Sequence, residues 1–289
     1  MNRRPWLWLA VCAAALAGAV LVSVRLGAVD LDSRAMLDAA VKGLRGEPLH
    51  GPAAVLWQLR HSNESLAFIR AHSCFARFSR ASRNFSRVSM VPTSTVVLAT
   101  AGSLKLGGSE TIGVLTASGS GGVNLQGNVL TISGSTASNV GVVVSGSGSL
   151  TKGGTGALTL SGANTFSGGV TVNAGSVLVG SATGLGSGAL VMNGGAVSSD
   201  GATARSMGNA YTLNGAVTLG SATNTGALTM SGVGTVGAGG ATVTVLSGVT
   251  LSGVLGGSGA LTKSGAGSLT LSGANTYSGG TTVSAGSVL

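Results

Sequence analysis

The 289-residue sequence has few charges, few aromatic residues and very little cysteine or proline. Two cysteines exclude a disulfide framework, and four prolines beside 51 glycines, without a Gly-X-Y period, exclude a collagen helix. Charged residues make up 8% of the chain and the mean hydropathy is +0.49, which argues against a disordered linker. The formal net charge of +9, taken alone, would indicate a nucleic-acid partner.

Charge and glycine are segregated along the chain, with a boundary near residue 90. Residues 1–90 contain twelve Lys and Arg, five Asp and Glu, and five glycines. Residues 91–289 contain four Lys and Arg, two Asp and Glu, and 46 glycines. The basic character therefore belongs to the first part. Because the second part is nearly neutral and has no basic stripe, we predict no nucleic-acid partner.

The chain begins with a long apolar segment. Residues 5–24 carry no charge, and as a helix they would span about 30 Å, the thickness of a hydrocarbon core. Trp6 and Trp8 are suited to the membrane interface. We therefore predict a helix that spans the inner membrane and makes the membrane a partner of the chain. The alternative is a cleaved signal peptide, with Ala15–Ala17 as the small-x-small site.

Further features connect residues 1–60 with a transporter family. An apolar first helix is followed by LGAVDLD at Leu26–Asp32 and by WQLR at Trp57–Arg60. Together these features resemble the start of bacterial iron–siderophore ABC-transporter permeases. The resemblance ends at His61, and no second apolar run of eighteen residues follows. We interpret residues 1–60 as a membrane-spanning or signal-anchor helix with a permease-like loop, and keep a truncated permease remnant as the alternative function.

Residues 61–90 match neither neighbouring segment. Five arginines alternate there with four phenylalanines, a pattern typical of a nucleic-acid-binding or membrane-surface segment. The other interpretation, which we favour, is a disordered basic junction where a fusion or a frame error joins two unrelated segments. Cys74 and His72 are too few for a structural zinc site, which needs four ligands.

The glycine-rich part contains two near-copies of one segment. Val144–Leu178 and Leu255–Leu289 align without gaps and agree at 26 of 35 positions. Apolar residues alternate with threonine at 158–160 and 170–172, and such short runs end in glycine-containing turns. We predict an all-β solenoid rather than a sandwich or barrel, since each unit would bury its apolar side against the next. At about 20–25 residues a rung, roughly eight to ten rungs would form.

The repeated unit also resembles a known family. Leu150–Leu178 and Leu261–Leu289 share the pattern LTKxGxGxLTLSGANT[F/Y]SGGxTVxAGSVL, which is similar to the passenger-associated repeat of bacterial autotransporters. The resemblance implies a right-handed parallel β-helix over residues 91–289, exported to the cell surface and adhesive or structural in role, with an unknown surface ligand as partner. No series of ten-residue amphipathic strands typical of a translocator follows, so we expect a fragment or a fusion product.

We predict no enzyme activity, no catalytic, cofactor-binding or metal-ligating residue, and no small-molecule substrate. Gly232–Gly237 matches the dinucleotide fingerprint, but a strand pattern follows it instead of a helix and an acid. No histidine lies beyond His72 to build a Ser-His-Asp site. Glu110 and Asp200 are the only acids after residue 90, too few for calcium-binding repeats.

Two pairs of residues occupy equivalent positions in the copies. For Lys152 and Lys263 we expect solvated charges that protect strand edges, with a sparse recognition role as the alternative. For Asn164 and Asn275 we expect a turn role, or side-chain amides that hydrogen-bond the adjacent rung.

Overall fold

A computed structural model describes residues 92–98 and 102–289, together with the backbone of two short strands at Phe68–Ala71 and Cys74–Arg77. These residues lie in one compact unit, Ser62–Leu289. The apolar segment at 5–24 and the permease-like loop lie outside the described residues. Within the described part there is no helix, and hence none long and apolar enough to span a membrane.

The described chain is all β, as predicted. Its strands are β1 (Phe68–Ala71), β2 (Cys74–Arg77), β3 (Thr95–Leu98), β4 (Leu104–Lys105), β5 (Glu110–Ile112), β6 (Val114–Ala117), β7 (Gly122–Asn124), β8 (Val129–Ile132), β9 (Ser138–Val140), β10 (Val143–Ser145), β11 (Ser149–Lys152), β12 (Ala157–Leu160), β13 (Val170–Val172), β14 (Ser176–Val179), β15 (Leu190–Met192), β16 (Ala196–Ser199), β17 (Arg205–Met207), β18 (Tyr211–Leu219), β19 (Leu228–Met230), β20 (Gly234–Val245), β21 (Val249–Leu251), β22 (Leu255–Gly257), β23 (Leu261–Ser264), β24 (Ser268–Leu271), β25 (Thr281–Val283) and β26 (Ser287–Val288).

From β3 onward the strands form three parallel ladders. The first contains β5, β8, β11, β13, β15, the first halves of β18 and β20, and β22. The second contains β3, β6, β9, β12, β14, β16, the second halves of β18 and β20, β23 and β25. The third contains β4, β7 and β10, and further along the chain β17, β19, β21, β24 and β26. From β3 to β12 and from β15 to β24 the chain passes through the three ladders in turn, whereas β11 to β16 alternate between the first two. This winding makes the fold a parallel β-solenoid.

The turns are nearly equal in length. Consecutive partners along the first ladder are Leu130, Leu150, Val170, Leu190, Tyr211, Gly234 and Leu255. The residue number rises by an almost constant step from one partner to the next, and this step lies within the predicted length of a rung. The solenoid has about ten turns. The predicted architecture and turn length are therefore confirmed, and the right-handed winding stays a prediction.

An antiparallel hairpin precedes the solenoid. Strand β1 pairs with β2, and its other edge pairs antiparallel with β3, with Phe68 opposite Val97. The hairpin lies within 61–90, the segment that we predicted to be a disordered junction. The other residues of that segment lie outside the described part, so the prediction for the segment as a whole stays untested.

The core is a narrow column of side chains inside the ladders. Alternate residues of each strand point inward, so that Leu158 and Leu160 of β12 are fully buried while Thr159 between them is partly exposed. Larger side chains are also buried there, including Phe166 and Tyr211.

Each turn is buried by the turn that follows it. Val172 and Val283 hold the same position in the two copies, yet Val172 is 0% exposed and Val283, in the last described turn, is 49% exposed. The local sequences are nearly the same, but Val172 pairs with Met192 of a following turn, whereas no described turn follows that of Val283. Burial in this fold therefore comes from contacts between turns, as expected for a solenoid.

The two copies of the repeat lie in different ladders. In the first copy β11 belongs to the first ladder and β12 to the second, whereas the equivalent β23 and β24 belong to the second and third. Five turns lead from Leu150 to Leu255 along the first ladder, and Leu261, the equivalent of Leu150, follows on the next face. The same sequence therefore forms equivalent strands on different sides of the solenoid.

Tyr211 fits into the bore because a glycine lies beside it in the next turn. Tyr211 is 2% exposed and pairs directly with Gly234. A β-carbon at Gly234 would lie 2.3 Å from Cζ of the Tyr211 ring, closer than packed atoms come. The missing side chain at one level of the column therefore makes room for the large ring at the other.

We predict that Gly234→Ala destabilises the solenoid by about 1–3 kcal/mol, because the added methyl group overpacks the bore. Thermal and urea unfolding of the full chain would measure the loss. Gly239→Ala is the matched control, since a β-carbon there has no atom within 4 Å. If both variants lose the same stability, the proposed clash is not the cause.

Candidate functional site

The outward faces carry threonine ladders. On the first ladder Thr111, Thr131, Thr151 and Thr171 are consecutive partners, each partly exposed. Val191 interrupts the row, which continues with two further threonines, Thr212 and Thr235. The solenoid thus presents hydroxyl and methyl groups at the spacing of neighbouring strands, about 4.8 Å.

Threonine ladders occur on the other two faces as well. They consist of Thr242, Thr262 and Thr282 on the second ladder, and of Thr229, Thr250 and Thr270 on the third. Because the repeat shifts by one face between its copies, the threonines of the second copy lie on the second and third ladders. The exposed chemistry of the repeat is therefore distributed around the solenoid.

A row of asparagine side chains lies at one corner. Asn193 Nδ2 donates to Asn173 Oδ1 at 2.9 Å, and Asn214 Nδ2 donates to Asn193 Oδ1 at 2.9 Å. We did not predict this row from the sequence. The signal was present, because consecutive members of the row lie one turn length apart in the sequence. Stacked amides of this kind tie successive turns together at the surface.

The asparagines at equivalent positions of the two copies, Asn164 and Asn275, form hydrogen bonds with adjacent turns, as predicted. Asn164 Oδ1 accepts a hydrogen bond from Val144 N at 2.8 Å, and its Nδ2 donates to Gly184 O at 2.6 Å. Asn275 Oδ1 likewise accepts from Leu255 N at 2.9 Å. Asn164 is 3% exposed, so it connects the turns on either side from within the structure.

The prediction for the two lysines was wrong. Lys152 is 1% exposed and Lys263 is 0% exposed, and both side chains lie inside the bore instead of at a solvated edge. Backbone carbonyl oxygens accept hydrogen bonds from both ammonium groups: Lys263 Nζ donates to three of them, and Lys152 Nζ donates to Gly154 O. Burial lowers the pKa of both lysines, since the charged form loses its hydration.

The burial of the lysines leaves a surface with almost no net charge. Residues 91–289 contain four basic and two acidic side chains, of which two, Lys152 and Lys263, are buried. Lys105 and Arg205 then balance Glu110 and Asp200. Arg205 Nη2 pairs with Asp200 Oδ1 at 2.9 Å. The surface of the solenoid is consequently a neutral array of hydroxyl, amide and methyl groups.

The described residues contain no constellation typical of catalysis or metal binding. Gly232–Gly237 lies where β20 begins, and strand β20 follows where a dinucleotide site would need a helix. Within the described part, no group of three or more His, Cys, Asp or Glu side chains could hold a metal ion. The candidate functional feature is therefore the patterned surface itself.

Comparison with known proteins identifies the repeated unit. The model of the passenger-associated-transport-repeat family matches residues 150–179 and 261–289. The two matches together cover 59 of the 289 residues. Together with the parallel solenoid, these segments fit the passenger domain of an autotransporter. The comparison gives no support to the permease resemblance of residues 3–60. No curated protein and no solved structure matches the chain.

We predict that Asn164→Ala lowers the free energy of unfolding by about 1–3 kcal/mol, because it leaves two backbone groups in neighbouring turns without their partner. Thermal unfolding and native-state hydrogen exchange would detect the loss. Asn139→Ala serves as control, since Asn139 is exposed on β9. Equal stability of the Asn164→Ala variant and the unsubstituted chain would contradict the bridging role.

A second prediction concerns alkaline pH. Burial raises the pKa of Tyr211 to about 12, and its hydroxyl has no hydrogen-bond partner among the described residues. Between pH 10 and 12 the unfolded chain therefore loses this proton while the folded chain retains it. The free energy of unfolding should fall with pH in this window, by about 1.4 kcal/mol for each unit of pKa difference.

Tyr211→Phe should remove this alkaline decline and leave stability at pH 7 unchanged or higher, because it deletes an unpartnered buried hydroxyl. Tyr277→Phe is the control and should retain the decline. Because the pKa of Lys152 and of Lys263 is lowered, these lysines make the free energy of unfolding rise with pH below pH 10.5. Both lysines are present in all three proteins, so their contribution cancels in the comparison. An unchanged decline in the Tyr211→Phe variant would overturn the assignment.

Proposed function

We propose that residues 92–289 are part of a cell-surface passenger whose role is structural and adhesive, without catalysis. The observation that carries this proposal is the position of the two matched segments. Each segment forms stacked strands of the same parallel solenoid, so the repeat supplies the scaffold of the passenger and not a separate appended module.

The neutral surface limits how such a passenger could bind. A surface without net charge provides no long-range attraction for nucleic acid or for an acidic membrane. The interactions that remain for binding are short-range hydrogen bonds from threonine and asparagine and contacts with methyl groups. Each contact is weak, but their repetition along the rod permits many simultaneous contacts with one partner surface, which raises the overall affinity.

In this proposed role the solenoid lies outside the cell. A passenger repeat suggests an exported or surface-bound protein, and the apolar residues 5–24 would direct the chain to the membrane. Residues 91–289 contain no cysteine, so their folding outside the cytoplasm would require no disulfide.

We predict that beads coated with the full chain attach to one another or to a cell layer, and that the part of this attachment due to residues 91–289 depends little on salt. Attachment in excess of that of beads coated with residues 1–90, which carry a formal net charge of +7, should change less than about twofold between roughly 50 and 500 mM NaCl, because screening acts on charges that the solenoid surface lacks. Counting attached beads by microscopy measures the effect, with uncoated beads as background.

A charged variant provides the matched comparison. Thr151→Glu combined with Thr171→Glu introduces like charges on one threonine ladder. Beads coated with this variant should attach less at low salt and recover at high salt. Attachment of the unsubstituted chain that disappears at high salt, or that never exceeds background, would refute the proposed adhesive role.

A further inference from the structure

The two repeat lysines donate to equivalent backbone carbonyls although they lie in different ladders. Lys263 Nζ donates to Ser264 O at 3.0 Å, to Gly265 O at 2.7 Å and to Ala285 O at 2.8 Å. An ammonium group has three protons, so each has an acceptor. Lys152 Nζ donates to Gly154 O, the residue equivalent to Gly265.

The acceptors of Lys263 come from two successive turns. Ser264 and Gly265 directly follow the lysine in its own turn, whereas Ala285 follows β25 of the next turn. Val283 of β25 is the direct partner of Lys263 in the ladder. The third acceptor is therefore present only when the following turn has stacked.

The following turn is also shaped to receive the ammonium group. Gly286 has a φ of +70°, and a β-carbon there would lie 2.6 Å from Lys263 Nζ. In the first copy Gly175 has a φ of +68°, and a β-carbon there would lie 2.9 Å from Lys152 Nζ. In both copies this glycine belongs to the Ala-Gly-Ser-Val-Leu segment that ends the repeat unit. The repeat thus encodes both the ammonium group and the space for it.

We propose that the repeat lysine is an internal latch that fastens its own turn to the turn that follows. A buried ammonium group without its full set of acceptors is unfavourable. A turn that carries the lysine therefore remains incomplete until the next turn closes over it. The latch gives the stacking of turns a direction, which apolar contacts alone would not provide.

Hydrogen exchange of the full chain, followed by mass spectrometry, tests this direction. Lys152→Met keeps the volume of the side chain but removes the donor, and it should accelerate exchange about tenfold or more in residues 170–179, the following turn. Residues 129–140, in the preceding turn, should change much less. Lys263→Met should act in the same way on residues 281–288 and leave residues 170–179 unchanged.

The two variants control each other, and Lys105→Met, which replaces an exposed lysine, should change neither region. Acceleration that is equal on both sides of the substituted lysine would indicate a general packing defect and would overturn the latch. Unchanged exchange in the following turn would overturn it as well.

A measurement on the unsubstituted chain covers the case in which a variant does not fold. An amine-reactive reagent should modify Lys105 rapidly, and Lys152 only at the rate at which residues 170–179 open to exchange. Rising urea should increase both rates together. Modification of Lys152 as fast as Lys105, or at the opening rate of residues 129–140, would refute the proposal.

Discussion

The structure depends on one constraint, the in-register parallel pairing of each strand with the strand one turn later. Because the turn length is nearly constant along the first ladder, equivalent side chains lie directly over one another. Every inward residue must then fit the residues directly above and below it in the bore, because each turn contacts only its neighbouring turns. Asn164 strengthens this register from inside, by bonding the backbone of both adjacent turns.

Vertical stacking explains why unusual residues are tolerated in a narrow bore. A large ring at Tyr211 is accommodated by Gly234 one turn on, and a buried ammonium group at Lys263 by Gly286. In both cases the compensation is distant in the sequence and adjacent in the ladder. The glycines of this chain therefore do more than form turns, since some of them provide the volume that a neighbour in the next turn occupies.

Regular features were predictable from the sequence because they depend on local pattern. Alternation of apolar residues and threonine identified strands such as β12 and β13, and the near-copies identified stacking. Burial of Lys152 was not predictable from residue type, because its acceptors are backbone carbonyls that leave no trace in side-chain composition. The Ala-Gly pair near the end of each repeat unit was the available signal, and it can be interpreted only once the turn length is known.

The rotation of the repeat between its copies bears on how such a rod could make contacts. Since the second copy begins five turns and one additional face after the first, the equivalent threonine ladders of the two copies point in different directions. A flat partner could not contact both at once, whereas two partners on different sides could. With the repeat lysines buried, no net charge favours one side over another. The repeat therefore specifies how the turns stack. The direction in which its threonines point depends on the ladder in which the first strand of a copy lies.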